Sequence, residues 1–182
     1  MLQGLKMPGR TRPTAREVYR AEVGSHVDWL PPEKKYEKGK DRPGVLVCPR
    51  CHAISVQKRW FLDEKRFQQL CATPGVQFVI CPGCRRIEQQ IYDGEVQLYS
   101  PLLLQNKPQA LAIIQHEEDK ARQDNPFSRL AAVVDRGDEI YILTTTRWLA
   151  ERIGKEFHKA FKGSLKIQHL PDERFVRVRW KR

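Results

Sequence analysis

Two short motifs, Cys48-Pro49-Arg50-Cys51 and Cys81-Pro82-Gly83-Cys84, constrain this chain more than any other feature. A Cys-x-x-Cys turn aims two thiolates at one point, and two such turns complete a tetrahedral Zn²⁺ shell. Each pair follows a short apolar run that reads as a strand, Val45-Leu46-Val47 before the first and Val76-Gln77-Phe78-Val79-Ile80 before the second. The interval from His52 to Ile80 is 29 residues. That exceeds the ~15–20 of common zinc ribbons, so an ordered insert is expected. Asp63–Leu70 fits as a helix, with Phe67 and Leu70 on one side. After the second pair, Arg86–Tyr92 and Glu95–Tyr99 flank Asp93-Gly94, which predicts a hairpin. Such a module has too little core to fold unaided, and zinc would supply the missing free energy.

Cys48, Cys51, Cys81 and Cys84 are therefore the expected zinc ligands, with Zn²⁺ as the cofactor. A shell of four thiolates is closed and leaves no position for a water nucleophile. The competing chemistry is thiol–disulfide exchange, since Cys-Pro-x-Cys resembles a thioredoxin-type motif. That motif needs a cysteine opening a long helix, whereas Cys81 precedes a hairpin signal. Cys71 reads as a small buried hydrophobe. His52 adjoins a ligand, but four cysteines make it unnecessary.

Charge supplies the second constraint. Among 182 residues, 33 Lys and Arg face 22 Asp and Glu, a formal net charge of +11. Such a balance points to a polyanionic partner, because basic proteins release counterions from phosphate backbones. With 30% charged residues and no run of ~20 apolar ones, a membrane protein is excluded. Met1–Arg10 has no apolar core of a secretory signal, so a cytoplasmic location is expected. Five cysteines there argue for metal or redox chemistry over a disulfide framework. No heptads are visible, and the free protein is expected to be monomeric.

Four regions follow. Residues 1–44 read as a basic, mostly disordered arm, with a short amphipathic piece at Thr14–Val23. Residues 45–100 form the zinc module. Residues 101–130 are a linker with a helix at Gln109–Gln123, whose Leu111, Ile114, Glu118 and Ala121 share one face and which Asn125-Pro126 ends. Residues 131–182 read as strand–strand–helix–strand–strand: Ala131–Val134, Glu139–Leu143, a helix from an N-cap in Thr144-Thr145-Thr146 to Lys162 with Gly163 as its stop, then Leu165–His169 and Phe175–Trp180 about Pro171-Asp172-Glu173. The expected fold class is α+β, a zinc ribbon or treble-clef-like module followed by a ββαββ module whose helix packs on an antiparallel sheet.

The basic excess is patterned. Residues 147–182 hold eleven Lys and Arg against four Asp and Glu. On the helix, Leu149, Ile153, Phe157, Ala160 and Phe161 form an apolar face, while Arg152, Lys155, Lys159 and Lys162 form a basic stripe. On the closing strands, Leu165, Ile167 and His169 share a face, as do Val176, Val178 and Trp180. Lys166, Gln168, Phe175, Arg177, Arg179 and Lys181 point the other way, and Tyr141 can join them. Charge around exposed rings suits RNA, with cations on phosphates and rings under unpaired bases. Lys58, Arg59, Trp60, Arg85 and Arg86 extend the candidate surface beside the cysteine pairs. Trp148 and Trp180 read as core. His116-Glu117-Glu118-Asp119 reads as a solvated acidic helix surface. No phosphate-cradling loop, nucleophile elbow or His-Glu-x-x-His is present, so no enzyme activity and no small-molecule substrate are expected.

Val133 to Trp180 is the most specific stretch: a Val-rich hairpin, Leu143-Thr144-Thr145-Thr146, Leu149-Ala150-x-x-Ile153-Gly154, Lys155 to Phe161, Lys162-Gly163, and Phe175-Val176-Arg177-Val178. Behind two Cys-x-x-Cys pairs, it resembles the zinc-containing adaptors of the large ribosomal subunit, the nonsense-mediated-decay-three-like family, and a set of short bacterial zinc proteins with the same two modules. The resemblance spans Val45 to Trp180. It implies ribosome association, with the four cysteines as the matching ligands. The long members carry further Cys pairs and a tail with transport signals, so nuclear export is not implied. The expectation is a non-catalytic, ribosome- or rRNA-binding zinc protein acting in hibernation, assembly or translational regulation. A zinc-ribbon DNA-binding factor is the alternative, disfavoured because no helix-turn-helix is evident. A thiol oxidoreductase comes third.

Overall fold

A computed structural model describes residues 44–170 and 175–182. The expected arm, Gly44 excepted, and the Pro171-Asp172-Glu173 turn lie outside the described residues. The fold is mixed α+β, with two sheets and four α-helices among the described residues.

The first sheet joins β1 (Leu46–Val47), β2 (Ala53–Val56), β3 (Arg59–Leu62) and β4 (Gln77–Phe78) in the order β3-β2-β1-β4. The expected insert is α1 (Glu64–Cys71), capped by Asp63 accepting from the Arg66 N–H at 2.9 Å. Phe67 packs under the sheet against Val47 and Ile54. The β2–β3 hairpin was not legible. Its turn places Gln57 and Lys58 at φ 50° and 67°, a two-residue conformation normally signalled by Asn-Gly. Cys71 is exposed at the end of α1, not buried as expected.

The predicted hairpin around Asp93-Gly94 does not form. Pro82–Glu88 is a helix, α2, and β5 (Gly94–Tyr99) leaves for the second sheet. The glycine serves packing rather than a turn: a Cβ on Gly94 would lie 2.5 Å from Thr144 Oγ1 and 2.6 Å from Ala150 Cβ.

The second sheet joins β5 with β6 (Leu130–Asp135), β7 (Glu139–Thr144), β8 (Ser164–Leu170) and β9 (Phe175–Lys181) in the order β6-β7-β5-β9-β8. It is mixed rather than antiparallel, because β5 inserts between the two expected hairpins and pairs parallel with β9. Helix α3 (Lys107–Asp124) connects β5 to β6 after a 3₁₀ turn at Pro101–Leu104. Lys107, at its start, bonds the Asp135 carboxylate and holds it below the usual carboxylate range.

Helix α4 (Arg147–Phe161) lies across one face of this sheet. Leu149, Ile153 and Phe157 meet Val96, Ile142, Val176 and Val178, all fully buried. Phe157, Phe161 and Trp180 close the far end as an aromatic cluster, with Phe157 and Trp180 edge-on at 5.6 Å. Trp180 donates from its ring N–H to the Lys162 carbonyl at 2.6 Å. The expected stop is present: Lys162 and Gly163 both turn left-handed, at φ 58° and 89°. Trp148 departs from expectation and is 63% exposed.

Helix and sheet approach closely at Gly154, where a Cβ would lie 2.4 Å from Val178 Cγ1. Alanine in a helix interior ordinarily gains about 1 kcal/mol over glycine. Forced overlap with a β-branched core residue costs about 1–3 kcal/mol, and the overlap is the larger effect here. Gly154→Ala is therefore expected to lower the denaturant midpoint, and an unchanged or raised midpoint would show that the helix can ride outward freely.

Candidate metal centre and basic face

The sulfurs of Cys48, Cys51, Cys81 and Cys84 lie within 4.8 Å of one another, and all four residues are buried. The first pair sits in a tight turn between β1 and β2. The Cys48 N–H bonds the Ala53 carbonyl at 2.8 Å, and His52 closes the turn at φ 61°. The second pair opens α2. Cys81 is its N-cap, Pro82 occupies the first turn, and Cys81 Sγ accepts from the Cys84 N–H at 3.4 Å. Pairing of β1 with β4 in parallel brings the two turns together, and the Cys81 N–H reaches Cys48 Sγ at 3.4 Å.

A tetrahedral shell with Zn–S near 2.3 Å spaces its sulfurs about 3.8 Å apart. Cys48 and Cys84 are 3.9 Å apart, and Cys51 and Cys81 are 3.4 Å apart. The set fits a divalent soft metal, and zinc is compatible with it. Hydrogen bonds with Cys48, Cys81 and Cys84 hold Cys51 far below the ordinary thiol range. Those with Cys48 and Cys51 push Cys81 and Cys84 far above it. Cys48 is brought down to about 6, the contact with Cys51 raising it and those with Cys81 and Cys84 lowering it further. The site thus divides into two thiols below the ordinary range and two above it, and the two high ones lose their protons only if a cation offsets the accumulating charge.

Cys81 opens a helix of seven residues rather than a hairpin. It is not the long helix a thioredoxin-type motif needs, but the hairpin context no longer argues against thiol exchange. Burial replaces it, because exchange chemistry needs an accessible thiolate and Cys48 and Cys81 are both 0% exposed. His52 stands apart from the sulfurs. Its ring stacks on Phe67 at 4.1 Å and its Nδ1 meets Glu64 at 2.9 Å. Cys51 borders a cleft of about 450 Å³ that His52 and Glu64 share with Asp119 and Arg122 of α3.

Arg129 completes the site from the loop before β6. Its Nη1 lies 3.9 Å from Cys84 Sγ, and its Nε is 3.5 Å from Glu118. Burial alone would lower its pKa, but the sulfurs of Cys84 and Cys51 and the Glu118 carboxylate outweigh it and raise it. The loop bearing Arg129 is tied down by the threonines expected to cap α4. Thr145 Oγ1 donates to the Phe127 carbonyl at 2.5 Å and accepts from the Arg129 N–H at 2.8 Å, and Thr146 Oγ1 bonds Ser128 Oγ at 3.1 Å. Thr146 is the N-cap, yet no side chain caps α4. Arg129 escaped the sequence reading because nothing local marks it.

The acidic run on α3 is solvated only in part: His116 and Asp119 are exposed as expected, Glu117 and Glu118 are not. Glu117 is 3% exposed and Glu118 is also buried, because their partners come from elsewhere. Glu118 also accepts from the Leu130 N–H at 2.9 Å, and Glu117 accepts from Arg152 Nε at 3.0 Å.

The candidate basic residues fall into three places. Beside the metal centre, Trp60 packs on the cysteines and tilts toward Phe127, with centroids 6.5 Å apart. Lys58 and Arg59 are exposed at the adjoining turn. Arg85 reaches the Ile80 carbonyl at 3.4 Å, and Arg86 is ion-paired to Asp93 at 2.5 Å. On α4 the expected stripe is broken: Arg152 is the tie to Glu117, while Lys155 pairs with Glu151 and Lys159 with Glu156 along the helix. Lys162 is exposed at the helix end.

The sheet face opposite α4 carries the third group. Lys166, Arg179 and Lys181 are exposed, and Arg177 is half-buried against Glu95 at 3.3 Å. Register sets Tyr141, Gln97, Arg179 and Lys166 in one row across four strands, and Glu139, Tyr99, Lys181 and Ser164 in the next. Arg179 Nε bonds Gln97 Oε1 at 3.2 Å, and Lys181 Nζ lies 5.6 Å over the Tyr99 ring. Both partners are neutral. Tyr99 was missed because β5 was assigned to the cysteine module.

No family model, curated protein or solved structure matches this chain. No helix among the described residues is long and apolar enough to cross a membrane.

Loss of an outer partner typically weakens a metal site by about 10–100-fold. Arg129→Met is expected to lower zinc affinity within that range in chelator competition, with Arg129→Lys restoring part of it. Equal affinity in all three proteins would reduce Arg129 to a packing residue. A metal bound here must displace protons from Cys81 and Cys84, so its retention is expected to be complete at high pH and lost as pH falls. Metal release that does not depend on pH would rule out thiolate ligation.

Proposed function

We propose that this protein is a non-catalytic, zinc-stabilised RNA-binding protein that docks on the ribosome through the open face of its second sheet. The observation that carries the reading is the disposition of charge on β8 and β9. Lys166, Arg179 and Lys181 are exposed, and none has a carboxylate partner among the described residues. Cations left uncompensated on a flat surface are available to phosphates, whose binding releases counterions. The net charge of +11 points the same way. The proposed metal centre is structural, since four cysteine ligands fill a zinc shell. Ribosomal RNA is favoured over duplex DNA because the cations lie on a sheet rather than on a helix free to enter a major groove. The resemblance to large-subunit adaptors directs the reading to ribosomal particles in the cytoplasm, in hibernation, assembly or translational control.

The test is metal content together with ribosome partitioning. About one zinc per chain and salt-sensitive cosedimentation with subunits or monosomes are expected. Zinc without cosedimentation at low salt would overturn the ribosomal assignment, and tighter binding to duplex DNA than to rRNA would favour the DNA-binding alternative. Arg179→Ala and Lys181→Ala should each lower the salt slope of rRNA binding by about one. Arg152→Ala should leave that slope unchanged and instead cost about 1–3 kcal/mol of stability, because it removes the hydrogen-bonded partner of the buried Glu117 carboxylate and leaves it Lys120 at 3.5 Å.

A further inference from the structure

From the same face we infer a narrower specificity, for unpaired RNA whose bases stack on Tyr99 and Tyr141; the inference rests on the RNA-binding reading above. Tyr99 is 40% exposed at the end of the central strand β5, and Tyr141 lies half-buried on the neighbouring β7. Tyr99 is in register with Glu139 and Tyr141 with Gln97, so the two tyrosines are diagonal neighbours on one face. Such neighbours stand about 7–8 Å apart. Lys181 Nζ lies 5.6 Å from the Tyr99 ring with no carboxylate partner among the described residues, and the Arg136 guanidinium lies 5.9 Å from Tyr141 while paired with Glu139 at 3.7 Å.

This arrangement discriminates between nucleic-acid forms. A ring can stack only on a base with a free face. Inside a duplex both faces of every base are covered, and the A-form major groove is too narrow for side chains to read. A single strand can splay two neighbouring bases, one onto each tyrosine. Its phosphates then pass over Lys181 in the row of Tyr99 and over Arg179 and Lys166 in the row of Tyr141. The carboxylates on this face do not oppose that path, since Glu139 is engaged by Arg136 at 3.7 Å and Glu95 by Arg177 at 3.3 Å. The basic residues of α4 cannot take part, because the helix lies on the other side of the sheet.

The test is fluorescence anisotropy of the full chain, loaded with zinc, against a short unstructured RNA strand and against the same strand annealed to its complement. At matched ionic strength the single strand is expected to bind about tenfold tighter or more. Tyr99→Leu and Tyr141→Leu should each weaken single-strand binding by about tenfold and leave duplex binding and the salt slope unchanged. Tyr99→Phe and Tyr141→Phe should bind the strand as the parent does. Circular dichroism and zinc content confirm that each variant is folded. Duplex binding as tight as single-strand binding, or Leu variants indistinguishable from the parent, would overturn the stacking inference while leaving RNA binding in place. Binding of neither RNA at low salt would overturn both readings.

Discussion

The convergence of four cysteine sulfurs on one point is the constraint from which the rest of the chain's geometry follows. The two contributing segments are separated by a hairpin and α1, so the sulfurs meet only if β1 and β4 pair in parallel. The first sheet buries little beyond Val47, Ile54 and Phe67. A core of that size cannot hold such an arrangement against thiolate repulsion, and a bound divalent cation would turn the repulsion into the main source of stability.

The consequence reaches the second sheet through two short links. Helix α2 starts at Cys81, and its Arg86 is locked to Asp93 immediately before β5. The Asp93 carbonyl in turn accepts the Val176 N–H at 2.9 Å, which starts the parallel pairing of β5 with β9. The second link runs backward, from the loop between α3 and β6 to the cysteines. Arg129 stands beside Cys84, and a Cβ on Gly83 would lie 3.0 Å from Phe127 Cα. The metal centre is thus enclosed between the first sheet and the loop before β6. Glu118, which holds Arg129 and the Leu130 amide, belongs to a helix that Arg152 fastens to α4.

What was legible in the sequence was whatever depends on local spacing. The cysteine pairs, α1, α3, α4, the Lys162-Gly163 stop and the four strands after residue 130 all leave a periodic or turn signature. Apart from the β2–β3 hairpin, whose turn residues Gln57 and Lys58 carry no turn signature, what was not legible depends on partners distant in the chain. Gly94 looked like a turn residue because Asp-Gly usually is one, and only its contact with Ala150 and Thr144 explains it. Glu117 and Glu118 looked solvated because their partners, Arg152 and Arg129, are remote in sequence. Thr145 and Thr146 looked like caps, yet their hydroxyls serve a loop some eighteen residues upstream. The insertion of β5 between two hairpins is the largest such case, and it moved Tyr99 from the cysteine module to the open face.

That relocation decides how the basic excess should be read. Charge counted along the chain makes α4 and β9 equivalent, since both are rich in Lys and Arg. In the fold they differ. Arg152, Lys155 and Lys159 of α4 meet glutamates, and Arg152 is part of the packing between two helices, while Arg147 lies over the exposed Trp148 ring at 5.2 Å. On β9, Arg177 meets Glu95, whereas Arg179 and Lys181 meet an amide and a phenol ring. A carboxylate partner neutralises a cation before any ligand arrives. A neutral partner orients it and leaves its charge available. The difference between the two surfaces therefore lies in the partners that the fold supplies, and on the open sheet face Arg179 and Lys181 are ordered by partners that leave their charge available.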